Sequence, residues 1–196
     1  MPAISRDSLM PLEVYARTRK EFRAKVMAHK RYRTVALGPN VRLTFEDELT
    51  IRYQIQEMLR IEKIFEEDGI EQELAAYTPL LPSGTNWKAT MFLEYPDVDE
   101  RRQMLAQLIG IEKHVWVRVE GFDRVYGIAD EDLERSNEEK TASVHFLRFE
   151  LTDSMRAALR ERVGLAMGID HPELNVTVAV TDPLTKAALA SDFQER

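Results

Sequence analysis

Segments that alternate between apolar and polar residues recur through residues 87–180, and helical segments separate them. Alternation with a period of two indicates strands, whereas apolar spacing of three to four residues indicates helices. The strands are predicted at residues 87–95, 115–120, 142–151 and 176–180, with a hairpin extension at 122–128, and the helices at 97–109 and 152–167. The resulting order, β-α-β-β-α-β, is that of a ferredoxin-like antiparallel sheet.

The N-terminal part has a different pattern. Helical spacing predicts helices at 11–32, 44–67 and 70–77, and a small hairpin turns at Gly38-Pro39-Asn40. In the second helix we expect Thr44 at the N-cap. The predicted fold class is therefore α+β, with an N-terminal helical layer at residues 1–78 and a ferredoxin-like part at 87–196. The Pro-rich connection between them is the candidate boundary, although both parts can also form one compact domain.

The chain has no cysteine among its 196 residues. Disulfides, Cys-ligated zinc, iron–sulfur clusters and thiol nucleophiles are therefore excluded. The first residues carry charge and proline where a signal peptide needs an apolar run, and 18 consecutive apolar residues occur nowhere. These features predict a soluble protein of the cytoplasm that does not enter a membrane.

The net charge of −7 is unevenly distributed. Residues 11–33 carry eight Lys or Arg and two Glu, whereas residues 45–73 carry ten Asp or Glu and three Lys or Arg. The basic segment can be an RNA or anion patch, or it can lie beside the acidic helix. Because the acidic segment follows closely and the whole chain is acidic, we favour two adjacent helices of opposite charge, and we predict no binding of nucleic acid.

One face of the predicted sheet carries aromatic and charged side chains. The ferredoxin-like order would place an aromatic row beside a charged row, formed by Phe92, Phe146 and Trp116 and by Glu94, Arg148 and Arg118. Aromatic residues with interleaved arginines can bind RNA, but the glutamates disfavour it. The favoured interpretation is that the helical layer or a second subunit covers this face. Alternatively, a ligand pocket lies between helical layer and sheet, where Arg118 or Arg148 holds a carboxylate or phosphate through two hydrogen bonds.

The long acidic helix carries a second candidate set. Thr50, Gln54 and Glu57 share one face, which can be a ligand site or a structural hydrogen-bond network. A carboxylate-rich metal site at Glu57, Glu62 and Glu94 ranks last among the hypotheses. The residues predicted to bind a ligand are Arg118, Arg148, Trp116, Glu94, Gln54 and Glu57. No metal ligand and no cofactor are predicted.

Motifs of known catalytic sites are absent from the sequence. The four histidines are dispersed, and none has Glu three residues before it, so the chain lacks the paired Glu-x-x-His motifs of a di-iron bundle. It also lacks a P-loop, a Gly-x-Gly-x-x-Gly loop, a His-Glu-x-x-His zinc motif and a Gly-x-Ser-x-Gly elbow. His145 alternates with apolar residues on a strand and is predicted to be a core histidine. Whether the protein is an enzyme stays open.

Several short motifs resemble one of the numbered families of bacterial proteins of unknown function. They are Gly38-Pro39, Phe45-Glu46, Thr50, Gln54, Glu57-Met58, Glu62, the Tyr-Thr-Pro-Leu-Leu-Pro run at 77–82, Ala89-Thr90, Glu94, Arg101 and Leu-Ile-Gly-Ile-Glu at 108–112. Members of this family are commonly encoded beside a rubrerythrin and an iron–sulfur, heterodisulfide-reductase-like subunit. The resemblance implies a supporting role in oxidative-stress metabolism but no catalytic residues.

Two functional hypotheses follow. The first is a non-catalytic accessory protein, homo-oligomeric, that serves a rubrerythrin-type redox system by contacting the rubrerythrin or the reductase subunit. The second is an enzyme or sensor that binds a small anionic ligand between helical layer and sheet.

Overall fold

The computed structural model describes residues 4–131, 135, 137 and 139–193, and it is an α+β structure with two antiparallel sheets. The helices are α1 (Leu12–Arg31), α2 (Glu48–Ile61), α3 (Glu67–Tyr77), α4 (Val98–Gln107), α5 (Asp153–Arg160) and α6 (Pro183–Ala190). The strands are β1 (Thr34–Ala36), β2 (Val41–Phe45), β3 (Asn86–Leu93), β4 (Val115–Val119), β5 (Val125–Tyr126), β6 (Ile128–Ala129), β7 (Val144–Glu150), β8 (Leu165–His171) and β9 (Leu174–Ala179).

Sheet A has the strand order β1-β2-β3-β7-β6, and sheet B has the order β5-β4-β8-β9. The predicted hairpin forms β1 and β2, and its turn includes Gly38 at a φ of +83°, a conformation that glycine adopts without strain. Because β2 pairs along its whole length with β3, the hairpin extends the sheet of the C-terminal part.

A single glycine separates two consecutive short strands that belong to different sheets. The segment 125–129 contributes β5 to sheet B and β6 to sheet A, with Gly127 between them. The Gly127 amide donates a hydrogen bond to the Val115 carbonyl at 2.9 Å. A Cβ at this position would lie 3.1 Å from the Phe149 ring, so glycine allows the segment between β5 and β6 to pack closely against β7.

The ferredoxin-like arrangement is not confirmed, because the strands divide between two sheets. The predicted neighbours β3 and β7 do pair, but β4 does not lie beside β7 as predicted. It pairs with β8, in a region where the sequence predicted a helix as far as residue 167. Helix α5 ends at Arg160, Arg162 takes a φ of +59°, and the chain then becomes extended. Alternating Leu165, Met167 and Ile169 fill the interior from β8.

The main core lies between the inner faces of the two sheets and is completed by α5 and α6. On β4, the residues that alternate with Trp116 and Arg118 are Val115, Val117 and Val119, and they are buried in this core. A second apolar cluster belongs to the helical layer and includes Ile51, Ile55, Leu59 and Leu74, with Leu80 packed against it.

The helical layer differs from the prediction at its helix ends. The predicted helix at 44–67 divides into α2 and the start of α3. Thr44 belongs to β2, and Asp47 is the N-cap of α2, accepting a hydrogen bond from the Thr50 amide while the Thr50 hydroxyl accepts one from the Asp47 amide. The basic α1 packs against the acidic α2, as the charge pattern predicted.

Within the part of the chain that the structure describes, no helix combines the length and the apolar character needed to cross a membrane.

Candidate functional site

A pocket of about 430 Å³ opens on the outer face of sheet A, between the sheet and the turn that follows α3. Its lining residues are Glu46, Pro79, Leu80, Lys88, Ala89, Thr90, Glu131, Phe146, Leu147 and Arg148. Leu80 also packs against the apolar cluster of the helical layer. The pocket therefore lies between sheet A and the connection that follows α3, next to the apolar cluster of the helical layer.

Strand alternation determines which side chains enter this pocket. Lys88 and Thr90 on β3 share the outer face with Phe146 and Arg148 on β7. The register sets Lys88 directly opposite Arg148 and Thr90 opposite Phe146. Two like charges opposite each other in a sheet are unfavourable unless an anion lies between them.

Glu131 supplies that anion. Its carboxylate accepts two hydrogen bonds from the Arg148 guanidinium, from Nε at 2.9 Å and from Nη2 at 2.8 Å. Lys88 Nζ lies 3.7 Å from the same carboxylate. The hydrogen bonds from Arg148 hold the pKa of Glu131 below its usual range, and they raise the pKa of Arg148. Glu150 accepts a further hydrogen bond from Arg148 Nη1 at 2.8 Å.

Glu46 contributes a second, buried carboxylate to the pocket. Only 7% of the residue is exposed. Its Oε1 accepts a hydrogen bond from the Thr90 hydroxyl at 2.6 Å, and its Oε2 accepts one from the Thr50 hydroxyl at 2.5 Å. Among the described residues, no Lys or Arg forms an ion pair with this carboxylate. Since each carboxylate oxygen has two lone pairs, Glu46 retains the capacity to accept a hydrogen bond from a bound molecule.

The polar side chains of the pocket can bind a small molecule at both of its ends. A planar guanidinium beside an ammonium group binds carboxylates and phosphates, and Arg148 already shows the two-bond geometry. Glu46 accepts from a hydroxyl or ammonium group, while Phe146, Leu80 and Pro79 provide apolar walls. Few polar groups in a largely apolar concavity are typical of small-molecule sites.

Of the six predicted ligand-binding residues, Arg148 lines this pocket and the other five do not. Trp116 and Arg118 lie on β4, which belongs to sheet B, so the predicted rows that joined them to Arg148 are wrong. Trp116 pairs across from Gly168 and is covered by the Arg124 guanidinium, 4.1 Å from its ring centre. Arg118 is exposed beside a separate shallow depression.

The other three predicted residues lie apart from the pocket. Glu94 pairs with Arg42 at 2.7 Å next to the end of β3. Gln54 is half-buried on α2. Glu57 accepts two hydrogen bonds from Arg19, at 2.7 and 2.8 Å, and one from the Tyr15 hydroxyl at 2.5 Å. The hydrogen bonds from Arg19 lower the pKa of Glu57 to about 2, which indicates a carboxylate that joins α1 to α2.

His145 is a core histidine, as predicted. It is fully buried, with Nδ1 2.6 Å from Asp130 Oδ2 and Nε2 2.8 Å from the Thr141 hydroxyl. The order Thr-His-Asp resembles a hydrolase triad, but Thr141 is 1% exposed and no substrate reaches its hydroxyl. Asp130 also accepts a hydrogen bond from the Phe146 amide, and we interpret the group as structural.

Groups of His, Cys, Asp and Glu suitable for a metal ion do not occur among the described residues. Glu57, Glu62 and Glu94 therefore form no such cluster, and Glu57 and Glu94 are paired with Arg19 and Arg42 instead.

The sequence analysis did not predict four of the lining residues as site residues, namely Lys88, Glu46, Thr90 and Glu131. The alternation through 87–95 assigns Lys88 and Thr90 to one face, and this signal was available. For Glu131, which follows β6 in a polar stretch, the sequence contains no comparable signal. Only the fold brings it to Arg148.

Comparisons with known proteins identify a family but no activity. A family model described as "Protein of unknown function (DUF3501)" matches residues 3–193. The chain is similar to a novel protein of unknown function from Burkholderia pseudomallei K96243, known from its crystal structure. The identity is 53%, the TM-score is 0.93, and the match covers 98% of this chain and 100% of that chain. No curated protein matches.

Proposed function

The chain belongs to the DUF3501 family of proteins of unknown function, and we propose that it binds a small carboxylate-bearing molecule in the pocket on the outer face of sheet A. One observation carries the proposal. Two cationic side chains, Lys88 and Arg148, converge on the Glu131 carboxylate at the wall of a pocket whose other lining residues, apart from the buried Glu46, are apolar or hydroxyl-bearing.

The carboxylate of Glu131 occupies the place of a ligand's carboxylate. Its side chain is 45% exposed, whereas that of Arg148 is 24% exposed. A ligand can therefore replace Glu131 at the guanidinium without the burial of any new charge. The exchange substitutes one two-bond carboxylate contact for another, so the ligand's binding free energy comes mainly from its remaining contacts.

Those remaining contacts define the ligand class. The buried Glu46 carboxylate accepts hydrogen bonds, and Phe146 and Leu80 contact apolar atoms. We propose a small carboxylate with an apolar middle and a hydroxyl or ammonium group at its other end. A site built to accept that hydrogen bond rejects an analogue that lacks the donor, since the buried acceptor then stays unpaired.

We expect ligand-dependent thermal stabilisation that requires Arg148. A panel of small carboxylates, hydroxy acids, amino acids and inorganic phosphate would be screened by differential scanning fluorimetry. A ligand at a hundredfold excess over its Kd adds about 2.7 kcal/mol to the free energy of unfolding, or roughly 5–10 °C in Tm for a chain of this size. Arg148→Ala should remove this shift, because it removes the carboxylate contact.

Arg118→Ala is the matched control, because Arg118 is an exposed arginine on the other sheet and its loss should leave the shift intact. A Glu46→Gln variant should weaken binding of hydroxy acids and amino acids but spare simple carboxylates. If no compound in the panel raises the Tm of the wild-type protein, the proposal is wrong. Equal losses in the Arg118 and Arg148 variants would also contradict it.

The accessory role in a rubrerythrin-type redox system is the second candidate, and it rests on the family resemblance and on the absence of cysteine. We expect the protein to co-purify at physiological salt with the rubrerythrin or the reductase subunit of its own organism, and to show no turnover alone. Co-expression with one tagged subunit, followed by mass analysis of the eluate, measures the co-purification. An eluate without the chain in stoichiometric amount would count against the role.

A further inference from the structure

Strand β9 forms one edge of sheet B and leaves its outer backbone groups unpaired. The Val180 amide donates to the Leu165 carbonyl at 2.8 Å, which identifies the hydrogen-bonded pairs of the β8–β9 ladder. In an antiparallel pair such residues alternate with residues whose backbone groups point away. The register therefore directs the N–H and C=O groups of Asn175, Thr177 and Ala179 toward the free edge.

This edge lacks the features that normally prevent pairing with another chain. The strand reads Leu-Asn-Val-Thr-Val-Ala, without charge, proline or glycine. Exposed edges are usually protected by lysine, proline, a bulge or a covering segment. Asn175, Thr177 and Ala179 are exposed, and none of their backbone groups has a hydrogen-bond partner among the described residues.

We propose that β9 pairs antiparallel with β9 of a second copy of this chain, around a two-fold axis at Thr177. Thr177 then lies opposite its own counterpart, and Asn175 lies opposite Ala179. Each of the three residues donates one backbone hydrogen bond and accepts one. The two four-stranded sheets become one continuous sheet across the dimer.

Self-pairing is favoured over another occupant by charge and by the apolar inner face. Residues near a two-fold axis meet their own copies, so a charged strand would repel itself, whereas β9 carries no charge. On its inner face, Leu174, Val176 and Val178 pack against the main core but are only partly buried. A second β9 would bring the same apolar residues alongside them and extend the core across the junction.

The test is the oligomeric state of the full chain with and without a blocked edge. Thr177→Pro removes an outward N–H, which a monomeric edge strand tolerates. Thr177→Lys sets two ammonium groups opposite each other on the axis. Thr177→Val keeps the N–H and the shape, and serves as the control. Native mass spectrometry and light scattering would compare these proteins at equal concentrations from 1 to roughly 100 μM, a range that reaches the weak association expected of a short interface.

We expect the wild-type protein and Thr177→Val at twice the 22.7 kDa chain mass. We expect Thr177→Lys and Thr177→Pro at the single chain mass or with at least a tenfold higher dissociation constant, and with an unchanged far-UV circular dichroism spectrum. A wild-type monomer throughout the range would overturn the proposal. So would a lysine variant that dimerises like the wild-type protein. The outcome is independent of the pocket on sheet A.

Discussion

Replacement of Arg33 by methionine is expected to destabilise the protein by about 3–5 kcal/mol, which lowers the Tm by roughly 6–20 °C. The Arg33 side chain is 2% exposed and lies between β2 and the C-terminal helix α6. It donates to the Phe45 carbonyl at 2.9 Å and to the Ala188 carbonyl at 3.1 Å. It therefore joins the first 50 residues to the end of the chain.

The cost arises mainly from the carboxylates that Arg33 neutralises. Its Nη2 donates to Asp192 at 2.6 Å, and its Nε lies 3.3 Å from Asp47. Burial raises the pKa of Asp192 even with Arg33 present. Burial also opposes ionisation of Asp47, but the hydrogen bond with His29 and the charge of Arg33 hold its pKa below the usual range. Methionine fills the space but leaves both carboxylates without their buried cation.

Chemical denaturation at pH 7 measures the effect, with Arg31→Met as the control. Arg31 is an exposed arginine on the last turn of α1, so its loss should change the free energy of unfolding by less than about 0.5 kcal/mol. Addition of Asp192→Asn to the Arg33 variant should restore part of the stability, because it removes an uncompensated charge. An Arg33→Met protein within about 1 kcal/mol of the wild type would refute this account.

Gly168→Ala is expected to cost about 3 kcal/mol, at the upper end for overpacking in a tight interior. A Cβ at residue 168 would collide with the backbone oxygen of Val176 and with the Trp116 ring, whose Cε2 would be 2.8 Å away. The Trp116 ring lies across this glycine and is 1% exposed. The Val176 carbonyl belongs to the paired strands β8 and β9, and the Trp116 ring is buried. Neither group can move without disturbing its neighbours, so the strand pairing itself must distort.

Gly164→Ala is the control for this prediction, because it adds the same methyl group just before β8. There the added Cβ would meet the Glu120 side chain, which is flexible and can move aside. We expect a cost below about 1 kcal/mol for Gly164→Ala, measured by denaturant unfolding with tryptophan fluorescence. Equal free energies of unfolding for the two variants would show that the close packing of Trp116 on Gly168 does not contribute to stability.

Strand alternation was readable from the sequence because side-chain direction is a local property. Successive residues of a strand point to opposite faces whatever the strand pairs with. For this reason the inner positions of β4 and the core position of His145 were predicted correctly. The opposite charges of α1 and α2 were also sufficient to predict that the two helices pack together.

Strand pairing was decided only by the tertiary structure. Residues 165–167 read Leu-Ala-Met, which are good helix formers, but tertiary contacts override intrinsic propensity. Once β8 forms, β4 pairs with it, and Trp116 and Arg118 move to a different sheet from Arg148. One misassigned strand thus separated two of the six predicted ligand-binding residues from Arg148.

The sequence by itself therefore determined the α+β class, the buried faces of β3, β4 and β7 and the exclusion of thiol chemistry. The tertiary structure alone decided the division into two sheets, the pocket at Arg148 and the free edge at β9. The physical reason is the range of the interactions. The periodicity of apolar residues reflects interactions between near neighbours in the sequence. The contacts of Glu131 with Arg148 and of Arg33 with Asp192 join residues that are distant along the chain. No local sequence pattern predicts such a contact.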